Sequence, residues 1–538
     1  MPCRGCGCSN SVDVSPGNSL SACPHGDDCC SACSGVRELR RRVAEYAEKL
    51  RTCLEVLQQK EATLNHAHSF ILNKLPNEIT RMIFQIAYYE VPETQELRVV
   101  NGTDPFIKSE RLSQAINLSA VCKQWREVAL DMPRLWSDIH VRLHCQVNVG
   151  AFGIFDDIMR RSQLLPLSIS LYSSPLEYQD PGLADVRYHP VLGILRKESK
   201  RWHSLTMYLP RSVLCDFLDS EACDDLSNVR SLNVHSTNGL GDEVDEDSEF
   251  PEWEGRQLQP NNLCLNALTM VGLKTYSWSN VTSIVAIGLT ARQGSQLLRN
   301  APLLTSYALL RVNESEPTTD LEPDFVHANL RQLHYDVYHS SDENPGNIFD
   351  VNVFPNLTDL NYSSCRRLGD DPFLSYVERY HPPLQNLLIN HSDFDVDVFL
   401  GVFRATPTLV HVELYPFAFN PMDYHEDSFL PLFESLSSED LLLPRLESLK
   451  FDFPYRLPWH LVPKFFGSPS DSAYRRPLKS LIMCDSSTRS SGANAIPEHV
   501  EAELRDLRET GIDIRWYRSP FDESGAHPFE ALNPSDIH

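Results

Sequence analysis

Three patterns of hydrophobic and polar positions follow one another along this chain, and each predicts a different element. Val36, Leu39, Val43, Tyr46, Leu50, Cys53, Leu57, Leu64, Ala67 and Ile71 occupy the first and fourth positions of a heptad, with charges between them. That spacing predicts one long amphipathic helix, which could pair with a second copy or fold back on the residues after it. Lys60 on the same ridge, and Cys53 and Ala67 in place of leucine, weaken such a coiled coil. Next, Ile79, Met82, Ile83 and Ile86 recur at i, i+3, i+4 and i+7, the apolar stripe of a shorter helix. Pro76 suits its first turn, where a fixed φ is already helical and no N–H is needed, and Glu78 complements the positive helix start. A second stripe runs through Leu118, Val121, Cys122, Trp125, Val128 and Ala129 and ends at Met132-Pro133, because the residue before proline avoids the α region. Two short helices with apolar faces need a partner. The stretch from Glu90 to Arg111, with Pro92, Gly102 and Pro105, reads as an insertion between them.

After these helices the period becomes that of a strand. A unit of the form apolar-x-x-apolar-x-apolar starts at Trp202, Val229, Leu265, Val281, Leu330, Leu357, Leu384, Leu409, Leu446 and Leu478. Successive starts from Leu330 to Leu409 lie 27, 27 and 25 residues apart, with helical stretches such as Asp371 to Tyr380 and Asp395 to Ala405 between units. A repeated short strand and helix bury their apolar sides only by stacking on their neighbours, which predicts a solenoid with a parallel sheet on its concave face.

Composition narrows the function classes. The chain has 538 residues, 42% of them hydrophobic, and a formal charge of −25, which argues against nonspecific binding to nucleic acid or an anionic membrane. No stretch has the length and apolarity of a membrane span or a signal peptide, so the protein is expected to be soluble and intracellular, in the cytoplasm, the nucleus or both. Asn117-Leu118-Ser119 and Asn356-Leu357-Thr358 are then chance glycosylation sequons. Seven of fifteen cysteines fall in the first 33 residues, as Cys3, Cys6, Cys8, Cys23, Cys29, Cys30 and Cys33. In a reducing compartment they are thiols or metal ligands. Their spacing matches no zinc module, and the Ser, Gly, Asn and Pro around them predict a disordered tail, the alternative being a zinc ion shared by two cysteine pairs. Eight acidic residues between Gly241 and Gly255 lack the spacing of a calcium loop and read as a solvated loop. There is no nucleophile elbow, phosphate loop, paired-histidine metal motif or dinucleotide glycine loop.

Leu75-Pro76-Asn77-Glu78-Ile79, followed by Val121-Cys122-Lys123-Gln124-Trp125-Arg126-Glu127-Val128-Ala129 and Pro133-Arg134-Leu135-Trp136, resembles an F-box, the helical module that docks substrate receptors onto cullin-type ubiquitin ligases. The resemblance implies that Leu75, Pro76, Ile79, Ile83, Phe84, Val121, Cys122, Trp125 and Trp136 form or support the surface for a Skp-type adaptor, and through it a cullin. The repeated units resemble leucine-rich repeats, though irregular ones without the usual asparagine after the strand. Heptad helix, F-box and irregular repeats together resemble the large F-box family of mushroom-forming fungi. The implied role is substrate recognition in a Skp–cullin–F-box ubiquitin ligase, with no cofactor and with the chemistry left to partners. The alternative is a non-catalytic scaffold that holds the adaptor without promoting ubiquitylation.

The expected fold class is therefore α/β, with an N-terminal helix able to form a coiled coil, a helical F-box, and a leucine-rich-repeat solenoid with a parallel concave sheet. The expected boundaries are a Cys-rich tail at 1–34, the heptad helix at 35–71, the F-box at 72–142 with its insertion near 90–111, the solenoid at 143–518 and a loose tail at 519–538. In each strand the leucines point inward and the residues between and just after them point outward. That alternation assigns Tyr208, His235, His334, Asp336, Asn361, His411, Glu413, Tyr415, Lys450 and Asp452 to one face, the candidate surface for an unknown protein substrate.

Overall fold

The computed structural model describes residues 31–68, 75–89, 110–143, 149–173, 190–210, 213–214, 217, 226–236, 259–266, 278–313, 321, 324–339, 347–367, 372–393, 396–416, 429–438, 442–453, 457–467, 476–485 and 496–518. Most of the Cys-rich tail, the insertion from Glu90 to residue 109, the acidic loop and the tail from residue 519 lie outside them.

The chain forms two compact units that divide between Ile83 and Phe84. The first contains α1, Ser31–His68, and the start of α2, Asn77–Tyr89. The heptad pattern thus becomes one uninterrupted helix, beginning four residues before the expected boundary at 35. Its described side chains are all exposed. Pairs such as Arg41 with Glu38 and Lys49 with Glu45, both at 2.7 Å, link successive turns along it.

The second unit begins with the rest of α2, then α3 (Glu110–Val121) and α4 (Lys123–Leu130), and a 3-10 turn at Pro133–Trp136. The strands follow as β1 (Asp138–Arg142), β2 (Leu167–Tyr172), β3 (Trp202–Leu209), β4 (Ser231–Ser236), β5 (Asn262–Asn266), β6 (Ser283–Ile287), β7 (Ser306–Asn313) and β8 (Phe325–Val326). They continue as β9 (Gln332–His339), β10 (Asn352–Val353), β11 (Asp359–Arg367), β12 (Asn386–Asp393), β13 (His411–Pro416), β14 (Ser448–Phe453), β15 (Ser480–Asp485) and β16 (Asp513–Arg518). Between them lie α5 (Val149–Arg161), α6 (Pro190–Lys197), α7 (Ala291–Asn300), α8 (Ile348–Val351), α9 (Pro372–Tyr380), α10 (Val396–Ala405), α11 (Leu430–Ser437) and α12 (Glu498–Glu509).

Fourteen strands form one sheet in chain order, every neighbouring pair parallel, while β8 and β10 make a separate parallel pair. Parallel neighbours need a crossover, and the α-helices and 3-10 turns supply several of them. Register aligns the apolar positions into rows: Leu205, Leu232, Leu263, Ile284, Tyr307, Leu333, Leu360, Leu387, Val412, Leu449 and Leu481 stand side by side, each 3% exposed or less. The leading residues Leu330, Leu357, Leu384, Leu409 and Leu446 are buried ahead of their strands. Helix side chains fill the inner side, as where Phe373 of α9 stacks on Tyr362 of β11 at 4.8 Å and Phe433 of α11 on Phe451 of β14 at 5.6 Å.

One expected strand is corrected, and others were not anticipated. The unit expected at Leu265 is displaced: β5 is Asn262–Asn266 with Leu263 and Leu265 inward, because pairing puts Leu263 opposite Leu232 and Ile284. Leu268 and Met270 lie outside the described residues. Strands β2, β7 and β16 went unread, since their leading positions or inner rows carry Pro166, Tyr307, Gly511 and Trp516 where the pattern sought aliphatic residues, and β1 went unread although Trp136, Ile139 and Val141 keep the spacing. Strand β1, the first of the large sheet, lies within residues 72–142, with Ile139 and Val141 in register with Ile169 and Leu171.

Candidate partner-binding faces

The carbonyl of Pro76 accepts hydrogen bonds from the amides of Ile79 and Thr80, both at 3.1 Å, so the proline stands just ahead of α2 and closes its first turn. Along this helix Thr80, Phe84 and Tyr88, spaced by four, are buried. The stripe read from sequence points the other way: Ile79, Met82, Ile83 and Ile86 are exposed, Met82 by 57% and Ile86 by 54%, and Tyr89 extends the exposed set. The helix thus has two apolar faces and buries one of them.

The second stripe is not one helix. Cys122 breaks it in an extended conformation, φ −158° and ψ 172°, and its Sγ accepts from the Trp125 amide at 3.4 Å as the N-cap of α4. A thiol is a weak acceptor, but it satisfies an amide that the helix start leaves unpaired. Cys122 is therefore a half-buried cap, not a residue packed within a continuous helix. Periodicity did not reveal the break because it returns to phase after one residue.

The adaptor candidates divide by burial. Phe84 is fully buried with its ring edge against Trp125 at 4.8 Å, and Trp136 is buried with Nε1 donating to the Ala129 carbonyl at 2.9 Å. These two hold the helices together. Pro76, Ile79, Ile83 and Val121 are exposed, Val121 by 60%, and Leu75 and Trp125 are half-buried. Met82, Ile86 and Ile116 are further exposed apolar residues that the candidate set omitted. The start of α3 is tied to β1 by Arg111, whose guanidinium lies 3.2 Å from Asp138, while His140 lies 3.1 Å from the same carboxylate. Burial pushes the Asp138 carboxyl up, but contacts and charge from His140 and Arg111 outweigh it and hold the group below the usual carboxylate range.

Nine of the ten candidates of the sheet lie at outward positions, alternating with the buried rows. Two clusters stand out. Tyr172, Tyr208 and His235 occupy adjacent strands in one row and stack, with centroids 5.2 Å and 4.6 Å apart, and His235 Nε2 lies 3.4 Å from Cys264 Sγ. Burial pushes the Tyr208 hydroxyl and the Cys264 thiol each up to about 12 and His235 down to about 4, so all three are neutral near pH 7. On β13 and β14, Glu413 accepts from Lys450 at 3.2 Å and from the Tyr415 hydroxyl at 2.5 Å, with the Lys450 ammonium 5.1 Å from the Tyr415 ring centre. His334 and Asn361 face each other across β9 and β11, Asp336 accepts from the Arg311 amide at 3.3 Å, and His411 is exposed. Asp452 lies on β14, but its side chain is outside the described residues. Tyr172 and Cys264 belong to this face and were missed; strand pairing, not spacing, puts them there.

Among the described residues no group of three or more His, Cys, Asp or Glu could hold a metal ion, and no helix is long and apolar enough to cross a membrane. A comparison with curated proteins found no match. Residues 72–142 match the F-box-like family, so the chain carries an F-box-like domain whose helices present exposed apolar residues.

Proposed function

We propose that this protein is the substrate-recognition adaptor of a Skp–cullin–F-box ubiquitin ligase. The F-box-like segment docks a Skp-type adaptor, and through it a cullin. The parallel sheet belongs to a leucine-rich-repeat solenoid whose outward face holds a target protein. The observation that carries this reading is the α2 stripe of Ile79, Met82, Ile83 and Ile86, left exposed inside the segment that matches the F-box-like family. An apolar helical face that its own fold leaves bare suits a helical groove or a helix of a partner. In this reading the chain supplies no chemistry, works in the cytoplasm or nucleus, and is akin to the F-box proteins of mushroom-forming fungi. The outward clusters suit a polar protein surface better than a nucleic-acid backbone, since only scattered cations stand there and the chain is acidic overall.

The test uses two variants in cells with the proteasome blocked. Ile79→Asp with Met82→Asp removes two exposed anchors and should abolish capture of the Skp-type adaptor, at about 2 kcal/mol or more per anchor, with thermal stability unchanged. Tyr415→Ala with Lys450→Glu should keep the adaptor and lose the targets. Unchanged adaptor capture by the first variant sinks the docking assignment, and unchanged targets with the second move recognition elsewhere. An adaptor captured without a cullin would leave the chain a scaffold.

A further inference from the structure

We infer that α1 is a dimer interface, pairing with α1 of a second copy in antiparallel register. Its ridge of Leu39, Val43, Tyr46, Leu50, Leu57 and Leu64 is 52–61% exposed. Long amphipathic helices owe most of their stability in water to the packing of their apolar face. The outer charges are satisfied within the helix, Arg41 by Glu38 and Glu45, Lys49 by Glu45 and Arg51 by Glu48. Of the charges beside or within the ridge, Arg40, Arg42, Lys60 and Glu61 enter no ion pair among the described residues.

Arg40, Lys60 and Glu61 select the alignment. In a parallel pair Lys60 meets Lys60 of the second copy in the core, and the flanking contacts Arg42 to Ala47 and Lys49 to Leu54 bring no opposite charges together. In an antiparallel pair centred between Leu50 and Cys53, Leu50 packs on Cys53, Tyr46 on Leu57, Val43 on Lys60 and Leu39 on Leu64 of the second copy. Arg40 then faces Glu61 twice by the two-fold symmetry, Ala47 faces Leu54, and Lys60 lays its stem along Val43 with its ammonium in solvent. The overlap spans residues 39–64, roughly 39 Å at the rise of an α-helix. Such a dimer carries two F-box-like domains and two sheets, so a target with two determinants is held at a raised effective concentration.

Light scattering on the full chain under reducing conditions should give twice the 61.2 kDa chain mass. Leu50→Asp with Leu57→Asp should give the single-chain mass with unchanged near-ultraviolet circular dichroism, whose tryptophans all lie outside α1. A monomeric wild type, whether α1 folds back on its own chain or awaits another protein, overturns the inference, as does a double variant that stays dimeric. Arg40→Glu alone should weaken association about tenfold in sedimentation equilibrium, because two ion pairs become like-charge contacts. Arg40→Glu with Glu61→Arg should restore it, and failure to restore overturns the antiparallel register.

Discussion

His235 is stacked on Tyr208 and stands 3.4 Å from Cys264, and burial lowers it from an ordinary 6.5 to about 4. His334 is lowered too, by burial, with the charge of Asp336 opposing. The folded imidazole of His235 therefore stays neutral between about 4 and 6.5 while the unfolded one takes up a proton. More protons on the unfolded chain make stability rise with pH across that window, so it is full above 6.5 and lost on acidification toward 4. His235→Phe keeps a ring in the stack and removes the proton uptake. The fall in urea midpoint between about pH 7.5 and about pH 5 should accordingly be smaller in the variant than in the wild type. Equal falls would show that His235 is not the group that titrates.

Elements are joined by contacts that the alternating pattern does not encode. At the starts of strands the hydroxyls of Thr282, Thr305 and Thr358 donate to the carbonyls of Asn261, Thr282 and Arg331, the same place one strand earlier. The amides of Asn228, Asn329 and Asn356 donate in the same way to Lys200, Pro302 and Ala328. Helix α7 starts with a capping box between Thr290 and Gln293 and lies close on β7, where the Tyr307 hydroxyl donates to the Gly294 carbonyl at 3.2 Å. A Cβ on residue 294 would come 2.6 Å from Leu309 Cδ2, so a side chain there would force the buried Leu309 to shift. Gly294→Ala should cost about 1–3 kcal/mol through overpacking, measured by chemical denaturation. Gly193→Ala on α6, where a Cβ meets nothing within 4 Å, should be neutral or slightly stabilising. Equal stability of the two variants would refute the close approach at α7.

At the scale of the whole molecule, a parallel sheet in chain order has two edges, β1 and β16. Arg111 of α3 is anchored to Asp138 of β1. The other edge strand, β16, carries Trp516 against Trp459 at 4.6 Å, with α12 packed nearby. Ending the chain after Asp485 removes α12 and β16 and bares the backbone and apolar row of β15. An uncovered, flat strand edge templates pairing with other chains. The truncated protein should therefore aggregate or bind hydrophobic dye in proportion to concentration, by dynamic light scattering and fluorescence. A truncated chain as soluble as the full one would mean that β16 is not the protecting edge.

Periodicity was enough to identify α1, α2, α9, α10 and nine of the strands, because an amphipathic pattern reports its own local geometry. The outward positions of Tyr208, His235, Glu413 and Lys450 were legible for the same reason: alternation along a strand fixes which side chains share a face. The Pro76 start of α2 and the motif around Trp125 were legible as residue types. Sequence could not say which apolar residues of the F-box-like segment are core. Phe84 and Ile83 are adjacent and both hydrophobic, and only packing made one buried and left the other exposed. Nor could it find the break at Cys122, where a thiol caps a helix without disturbing the periodicity. The displaced strand at β5 and the joining of Tyr172 and Cys264 to the outward face needed neighbouring strands to set the register. Local pattern determined which residues form each element, but burial and register depend on what lies across from them, and only the tertiary structure supplies that.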